Sequence, residues 1–386
     1  MSEIYKGFAQ QGQEKELLKF LDKVFTRIRV RTVPYFMTLL PKLYKKEYDP
    51  CANNLVIRDK KEFHAAVGIY MLDYICGEGK LLMGGIGNVA VSKKFRGKGY
   101  MKELMNDSFD ICKERGADLM VLGGQRQRYN YFGYERVGVS YEYKVNKTNL
   151  RHALKGADAQ GFEVKRIKKD DKEYLAKIYA LRKSMPIHIE CKEEALFDVL
   201  CSWLSRPYVI LENGQFAGYF IRNRLGDKIE ELRLLDNTKL SNAVCVIFQA
   251  FMRGSFKFEV STAEKETNVF FRFLCENADV IVSESYLIMD YRKVLEVLMQ
   301  NSGTAFADGV MTMHINGYAD EENLRICVEN GQVSIIHTDD EPECTLGHLE
   351  ATRAIFDPIS PERDELPPLG RAWFPLPLFA PKADMV

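Results

Sequence analysis

The sequence predicts a mixed α/β (α+β) chain: two copies of one strand-and-helix plan, followed by a smaller α+β unit. Three observations carry this. Short apolar runs with strand character alternate with amphipathic stretches of helical period. A glycine turn, Arg96-Gly97-Lys98-Gly99, separates one such strand from one such helix. The middle of the chain then repeats the order of elements seen at its start.

Composition sets the outer limits. A chain of 386 residues with 46% hydrophobic and 28% charged residues is an ordinary globular protein of two or three domains. Its 54 basic and 54 acidic residues cancel, so no global field recruits nucleic acid or an anionic membrane. The nine cysteines are scattered, without a Cys-x-x-Cys pair. Neither a zinc site nor a disulfide framework is expected, and reduced thiols in a cytoplasm fit this usage. The start, Met-Ser-Glu-Ile-Tyr-Lys-Gly, lacks an apolar signal core, and no apolar run reaches membrane-spanning length. No metal, no nucleic acid and no membrane are therefore expected.

In chain order, Leu17, Leu18, Leu21, Val24 and Phe25 give residues 13–30 a helical apolar face. Tyr35, Phe36, Leu39, Leu40, Leu43 and Tyr44 do the same for 31–47. Asn54–Arg58 reads as the first strand and Asp59–Glu62 as a hairpin turn. Phe63–Leu72 and Lys80–Val91 continue an antiparallel run. His64 is a candidate general base, a packed or solvated histidine being the commoner case.

Val89 and Val91 then alternate with smaller or polar neighbours. After the turn, Met101, Leu104, Met105 and Phe109 recur at helical spacing. A helix's first turn has free N–H groups and a partial positive charge, which attract phosphate. Gly97 and Gly99 permit positive φ and remove the Cβ atoms that would block an anion. Arg96 and Lys98 add charge. The stretch reads as a pyrophosphate cradle. A P-loop would need Lys where Tyr100 stands, and a dinucleotide motif would need Gly at Lys102. The pattern Val-x-Val, four residues, then Arg-Gly-x-Gly-x-Met resembles the acyl-CoA motif of the GNAT acetyltransferase superfamily. The resemblance implies that Val89, Ala90, Val91, Arg96, Gly97, Lys98, Gly99, Tyr100, Met101 and Lys102 bind acetyl-CoA as co-substrate. A solvated Gly-Lys turn is the plain alternative.

The helix runs to Arg115 and ends at Gly116. Asp118–Gly124 reads as a buried strand, parallel to the one before the cradle. By the GNAT resemblance these two strands splay, the acyl-pantetheine arm enters between them, and Gly124 and Gln125 line the far side. Tyr129-x-x-x-Gly133-Tyr134 is similar to that family's Tyr-x-x-x-Gly-Phe, whose tyrosine hydroxyl stands near the thioester sulfur. Tyr129 is thereby the candidate acid for the leaving thiolate. An aromatic plug is the alternative, and Tyr131, Phe132 and Tyr134 suit that role. Arg126 and Arg128 either meet CoA phosphates or face solvent. Val137–Val145 closes a first domain, 1–148.

Residues 149–285 read as a second copy. Strands are expected at 162–167, 208–211, 216–221 and 230–235, with helices at 170–185, 192–204 and 238–252. Asn213-Gly214 is a hairpin turn. At the cradle position stands Asp236-Asn237-Thr238-Lys239, so the copy is degenerate. Glu230 and Glu231 are either exposed strand carboxylates or a face for a cationic substrate. Residues 286–386 begin with a helix. Strands follow at 309–315, 324–328 and 332–337, then a helix at 350–356, a unit that resembles the sterol-carrier-protein-like domain.

The tail, Trp373-Phe374-Pro375-Leu376-Pro377-Leu378-Phe379-Ala380-Pro381 onward, is stiff and apolar, which predicts an extended, packed segment. Taken together, the chain resembles the Eis (enhanced intracellular survival) family of acetyltransferases. That resemblance implies a tail returning to the first domain, with a carboxylate on Val386 helping to deprotonate the amine. It also implies a homo-oligomer, as hexamers occur there. Two functions are weighed. One is an N-acetyltransferase in which a primary amine attacks directly, the acceptor being an aminoglycoside-like polyamine or a peptide or protein amine. The other is a non-catalytic CoA- and lipid-binding module.

Overall fold

The computed structural model describes residues 3–26, 35–154 and 158–386. Residues 27–34, within the expected helices 13–30 and 31–47, and residues 155–157 of the polar stretch 149–160 lie outside the described residues, as do Met1 and Ser2. The architecture is mixed α/β, as predicted. It divides into two compact units, Met1–Gly138 with Glu284–Leu378 and Met385–Val386, and Val139–Ser283 with Phe379–Asp384.

The first unit is built on β1 (Tyr5–Phe8), β2 (Asn54–Arg58), β3 (Phe63–Cys76), β4 (Gly79–Val91) and β5 (Leu119–Leu122). Neighbours from β1 to β4 pair antiparallel. β4 and β5 pair parallel, from Met83 opposite Leu119 to Ile86 opposite Leu122. Residues 285–288 lie antiparallel on the far side of β5. The short edge strand β1 is half exposed and carries too little apolar pattern to be read from sequence. The helices are α1 (Glu14–Phe25), α2 (Tyr35–Leu39), α3 (Pro41–Tyr44), α4 (Tyr100–Glu114) and α5 (Arg126–Tyr129).

α4 forms because Leu104, Met105 and Cys112 lie on one face and bury together. It stops where Gly116 turns at φ +75°. Its apolar face packs with Ile57, Val67, Ile86, Met120 and Leu122 of the sheet in one core.

The first unit also holds a four-stranded sheet, in the order 332–337, 321–329, 309–316, 344–347. The helices Tyr291–Asn301 and His348–Phe356 belong with it. Most of the residues set apart from sequence as 286–386 thus group with the first unit. Their links to it include Lys293 Nζ to Asp118 at 2.8 Å, and Arg353 Nη1 to Glu135 at 2.6 Å.

The second unit contains most of β6 (Glu135–Asn146), followed across its sheet by 255–261, 228–234, 215–222, 206–212 and 162–166. The hairpin turns at Asn213 and Gly214, with φ of +50° and +79°. Strand 255–261 and helix Lys265–Leu274 were missed from sequence, although Ser-Phe-Lys-Phe-Glu-Val-Ser alternates plainly. The expected helix 192–204 is instead a short helix, Leu196–Leu200, flanked by single turns.

At the place matching the cradle, the Asp236 side chain accepts from Thr238 N at 2.9 Å. An acid occupies the turn, as expected of a copy without a phosphate site. The reading of Glu231 as an exposed carboxylate is corrected: it is 4% exposed. It accepts from the Tyr219 hydroxyl and faces Arg182 at 3.3 Å. Arg182 also holds Asp384, at 2.6 Å. An unpaired charge so buried would be costly, which is why these groups cluster. Among the described residues no helix is long and apolar enough to cross a membrane.

Candidate active site

The site is organised along β4. Its register against β3 runs from Ala65 opposite Val91 and Ala66 opposite Ala90 to Gly68 opposite Gly87. β4 therefore uses one residue more than β3 across this interval, a β-bulge at Asn88–Val89. Beyond Ile86, β4 keeps β3 on one side but no longer pairs with β5 on the other. This is the expected splay. It leaves one edge of Gly87–Val91 unpaired by β5.

The direction of the free N–H groups follows from the ladder. Ser92 N donates to His64 O at 2.9 Å. Along an antiparallel strand the N–H groups point alternately to either edge. Val91 N–H therefore points away from β3, into the gap.

Past Ser92, a turn at Lys93–Phe95 leads to Arg96 and then Gly97 and Gly99, at φ +80° and +83°. A Cβ at either glycine would meet no atom within 4 Å, so the space above both is open. Gly99 caps α4 without any side chain, leaving the first-turn N–H groups uncovered. Arg96 and Lys98 are exposed beside them. A cavity of about 650 Å³ lies here, lined by Val89, Val91, Arg96, Gly97, Gly99, Tyr100, Met101, Lys102, Arg128 and Phe132, with Val24 and Phe25 of α1. The donors, the positive charge and the open glycines fit a pyrophosphate-bearing ligand. Ala90 alone of the expected cradle residues is buried, at 2% exposure.

Gly124 and Gln125 follow β5, and Gln125 opens α5. The Tyr129 ring lies on Gly124, where a Cβ would stand 2.2 Å from Tyr129 Cε2. Tyr129 is 6% exposed. Burial raises its phenol above the ordinary tyrosine value, with neighbouring Arg128 opposing more weakly. The hydroxyl thus keeps its proton through neutral pH. Arg128 lines the cavity. Arg126 does not serve phosphate: it forms a two-pronged pair with buried Glu135, at 2.6 and 2.7 Å.

Val386 lies on the β4 strand just before the bulge. A Cβ at Gly85 would be 2.8 Å from Val386 Cγ2, and one at Gly87 would be 3.5 Å from both the Val386 main-chain carbonyl carbon and the Tyr70 ring. Gly85 and Gly87 form a floor that admits another chain segment. A Gly-Gly-x-Gly run inside a strand carries that signal, since glycine in a strand marks close approach of another backbone. It went unread.

Tyr44, Asn54, Tyr70 and Asn88 beside it were also missed. All four sit in apolar or strand stretches, and only folding joins them. Asn54 Nδ2 donates to Tyr70 Oη at 3.3 Å. Burial pushes the Tyr70 phenol up to about 12.

His64 takes its packed alternative, stacked on Phe95 with ring centres 3.6 Å apart and with Asp59 at 3.5 Å. All nine cysteines are free thiols. Among the described residues, Glu14, Asp49 and Cys51 bring ligand atoms within 4.8 Å of one another. Burial, aided by both acids, pushes the Cys51 thiol up to about 11, so it keeps its proton at neutral pH.

A strand, a bulge, an open glycine turn and a helix N-terminus beside a diverging partner strand form an anion cradle next to an open cavity. Residues 8–140 match the family described as acetyltransferase (GNAT) domain. No curated protein matches the sequence.

Solved structures share the fold across nearly the whole chain. A GCN5-related N-acetyltransferase from Kribbella flavida superposes with TM-score 0.67 at 16% identity, covering 100% of this chain and 99% of its own. Eis1 from Mycobacterium abscessus gives TM-score 0.66 at 11% identity, covering 97% of each chain. A probable N-acyltransferase from Enterococcus faecalis gives 0.65 at 15%, covering 92% of this chain and 89% of its own. The chain carries a GNAT acetyltransferase domain and is an acyltransferase; acetyl-CoA is the co-substrate that such domains use.

Proposed function

We propose that this enzyme transfers an acetyl group from acetyl-CoA to a primary amine by direct attack. The acceptor is an aminoglycoside-like polyamine, or a lysine or N-terminus of a peptide or protein. One observation carries the reading: β4 joins an anion cradle at its end to an open edge at Gly87–Val91, and Val386 rests on the same strand.

When bound, acetyl-CoA supplies an activated acetyl group on a thiol leaving group. Arg96, Gly97, Lys98, Gly99 and the turn Tyr100–Lys102 would hold its pyrophosphate, with Val89, Ala90 and Val91 facing Gly124 and Gln125 along its arm. Val91 N–H is a donor fixed in position before reaction, which is the inexpensive way to stabilise developing negative charge. Tyr129 holds a proton at its hydroxyl, available to the leaving sulfur. A carboxylate on Val386 would hold the substrate ammonium and take its proton, directly or through water. An α-carboxyl titrates near ~3.5, so it is a weak base unless burial raises it, and the water route suits it. None of the cysteines has a part in this scheme.

The same reading takes the chain as Eis-like and cytoplasmic, with domains at 1–148, 149–285 and 286–386. The last is sterol-carrier-like, on the strength of its separate four-stranded sheet and helices. It also takes the protein as a homo-oligomer, a hexamer by the family it resembles.

The test is thiol release from acetyl-CoA with a panel of polyamines, aminoglycosides and lysine peptides. It is run with the full chain and with a chain lacking Met385 and Val386, which leaves the Asp384–Arg182 pair in place. Turnover that collapses on truncation supports the whole reading. Turnover indifferent to truncation removes Val386 from it. Binding of CoA without turnover toward any amine overturns it in favour of a CoA-binding module.

A further inference from the structure

The direction of Val91 N–H depends on the bulge. Ile69 N donates to Asn53 O on the β2 side, so the next N–H along, that of Gly68, faces β4 and its partner Gly87. Counting from Gly87 without a bulge, Val91 N–H would point back at β3. The extra residue reverses the count and turns it into the gap.

Asn88 makes that extra residue possible. Its φ is +40°, a left-handed conformation disfavoured for a residue with a Cβ unless its surroundings hold it. Its side-chain amide is held at both ends. The Tyr44 hydroxyl donates to Asn88 Oδ1. Asn88 Nδ2 donates to Asn54 Oδ1 at 2.9 Å. Asn54 is fully buried, and its own amide donates to Pro50 O at 2.7 Å. Gly68 leaves the room: a Cβ there would stand 2.3 Å from Asn88 Oδ1.

We propose that Tyr44, Asn54 and Asn88 form a positioning device for acyl transfer, locking the β4 bulge so that Val91 N–H faces the gap that receives the thioester carbonyl. Asn88 is a positioning residue in this scheme, acting through its backbone. The inference rests on the acyl-CoA reading of the cradle.

The test follows the Val91 amide resonance in ¹⁵N-labelled protein on adding acetyl-CoA or CoA, alongside thiol release. Wild type, Asn88→Ala, Asn88→Gly and Tyr44→Phe are compared. In wild type the resonance should shift with CoA and by a further, acetyl-dependent amount with acetyl-CoA, and that further shift is the readout. Asn88→Ala should lose the shift and about 100-fold in kcat, with KM for acetyl-CoA within about twofold, as a misdirected group does. Asn88→Gly, free to adopt positive φ, should recover ~10-fold or more of that loss. Should Asn88→Ala not fold, Tyr44→Phe must show a smaller loss of the same kind.

A Val91 amide that in wild type shifts no further with acetyl-CoA than with CoA overturns the proposal. So does a shift and kcat unchanged in Asn88→Ala, or a glycine variant no better than the alanine. A Val91 shift intact in wild type and lost in Asn88→Ala, without turnover toward any amine, supports the device and overturns the amine reading alone.

Discussion

Gly85→Ala tests whether Val386 works from its place on β4. The added Cβ would stand 2.8 Å from Val386 Cγ2, 3.2 Å from Leu72 Cδ1 and 3.3 Å from Tyr70 O. Apolar carbons rest about 3.5–4.0 Å apart, so Val386 must retreat by roughly 1 Å. Leu72 and the Tyr70 carbonyl have only tenths of an ångström to yield. A misplacement of about 1 Å at a group that handles the reacting amine costs about 100-fold in rate, or about 2.7 kcal/mol of barrier.

Thiol release at saturating acetyl-CoA should report that fall in kcat. Affinity for acetyl-CoA should hold, because the cavity at Arg96–Lys102 does not include Gly85. The control is the same substitution in the chain lacking Met385 and Val386. Two changes acting through one group are not additive, so there Gly85→Ala should cost little further. An equal fall in both backgrounds would refute the reasoning and assign the effect to strain in β4 itself.

Other outcomes follow from the same geometry. Tyr129→Phe should lower kcat by ~100-fold or more, the range for a lost general acid, with acetyl-CoA affinity intact by calorimetry. In wild type the alkaline limb of kcat, where the acid loses its proton, should lie above the ordinary tyrosine value because burial raises that phenol. In the variant that limb should vanish.

Gly99→Ala places a Cβ at φ +83°, at a cost of about 1–2 kcal/mol, and calorimetry should show acetyl-CoA affinity falling by roughly 10-fold. Glu135→Gln should cost about 3 kcal/mol in urea unfolding, since it breaks a buried pair with Arg126 and Arg353. Burial acts to raise the Glu135 carboxyl, but the Arg126, Arg136 N–H and Arg353 hydrogen bonds outweigh it and hold it below the usual value. A depressed folded value means the contribution is present above about pH 4.3, the unfolded value, and is lost as pH falls through the folded one. The stability gap between wild type and variant should close in that window.

What the sequence determined by itself was local. The strand, glycine turn and helix at 88–105 were legible because period, positive-φ glycines and helix-end charge act within a few residues of one another. The loss of the cradle at 236–239 was legible for the same reason, since Asp236 caps its own turn. The parallel step from β4 to β5 followed from a crossover helix between two apolar runs.

Only the tertiary structure decided what depends on pairs distant in the chain. Glu231 looked solvent-facing until Arg182, Tyr219 and Asp384 closed over it. Arg126, read from sequence as either a CoA-phosphate contact or a solvent-facing side chain, is instead paired with Glu135. The bulge at Asn88 is set by Tyr44 and Asn54, more than thirty residues away. Its effect, the direction of one N–H, is invisible in sequence because strand propensity does not record register. The glycines at 85 and 87 signalled a close approach of some backbone, but which segment approaches, the one around Val386, only the fold decided. Residue type and spacing specify an element; long-range packing specifies which atoms of that element meet.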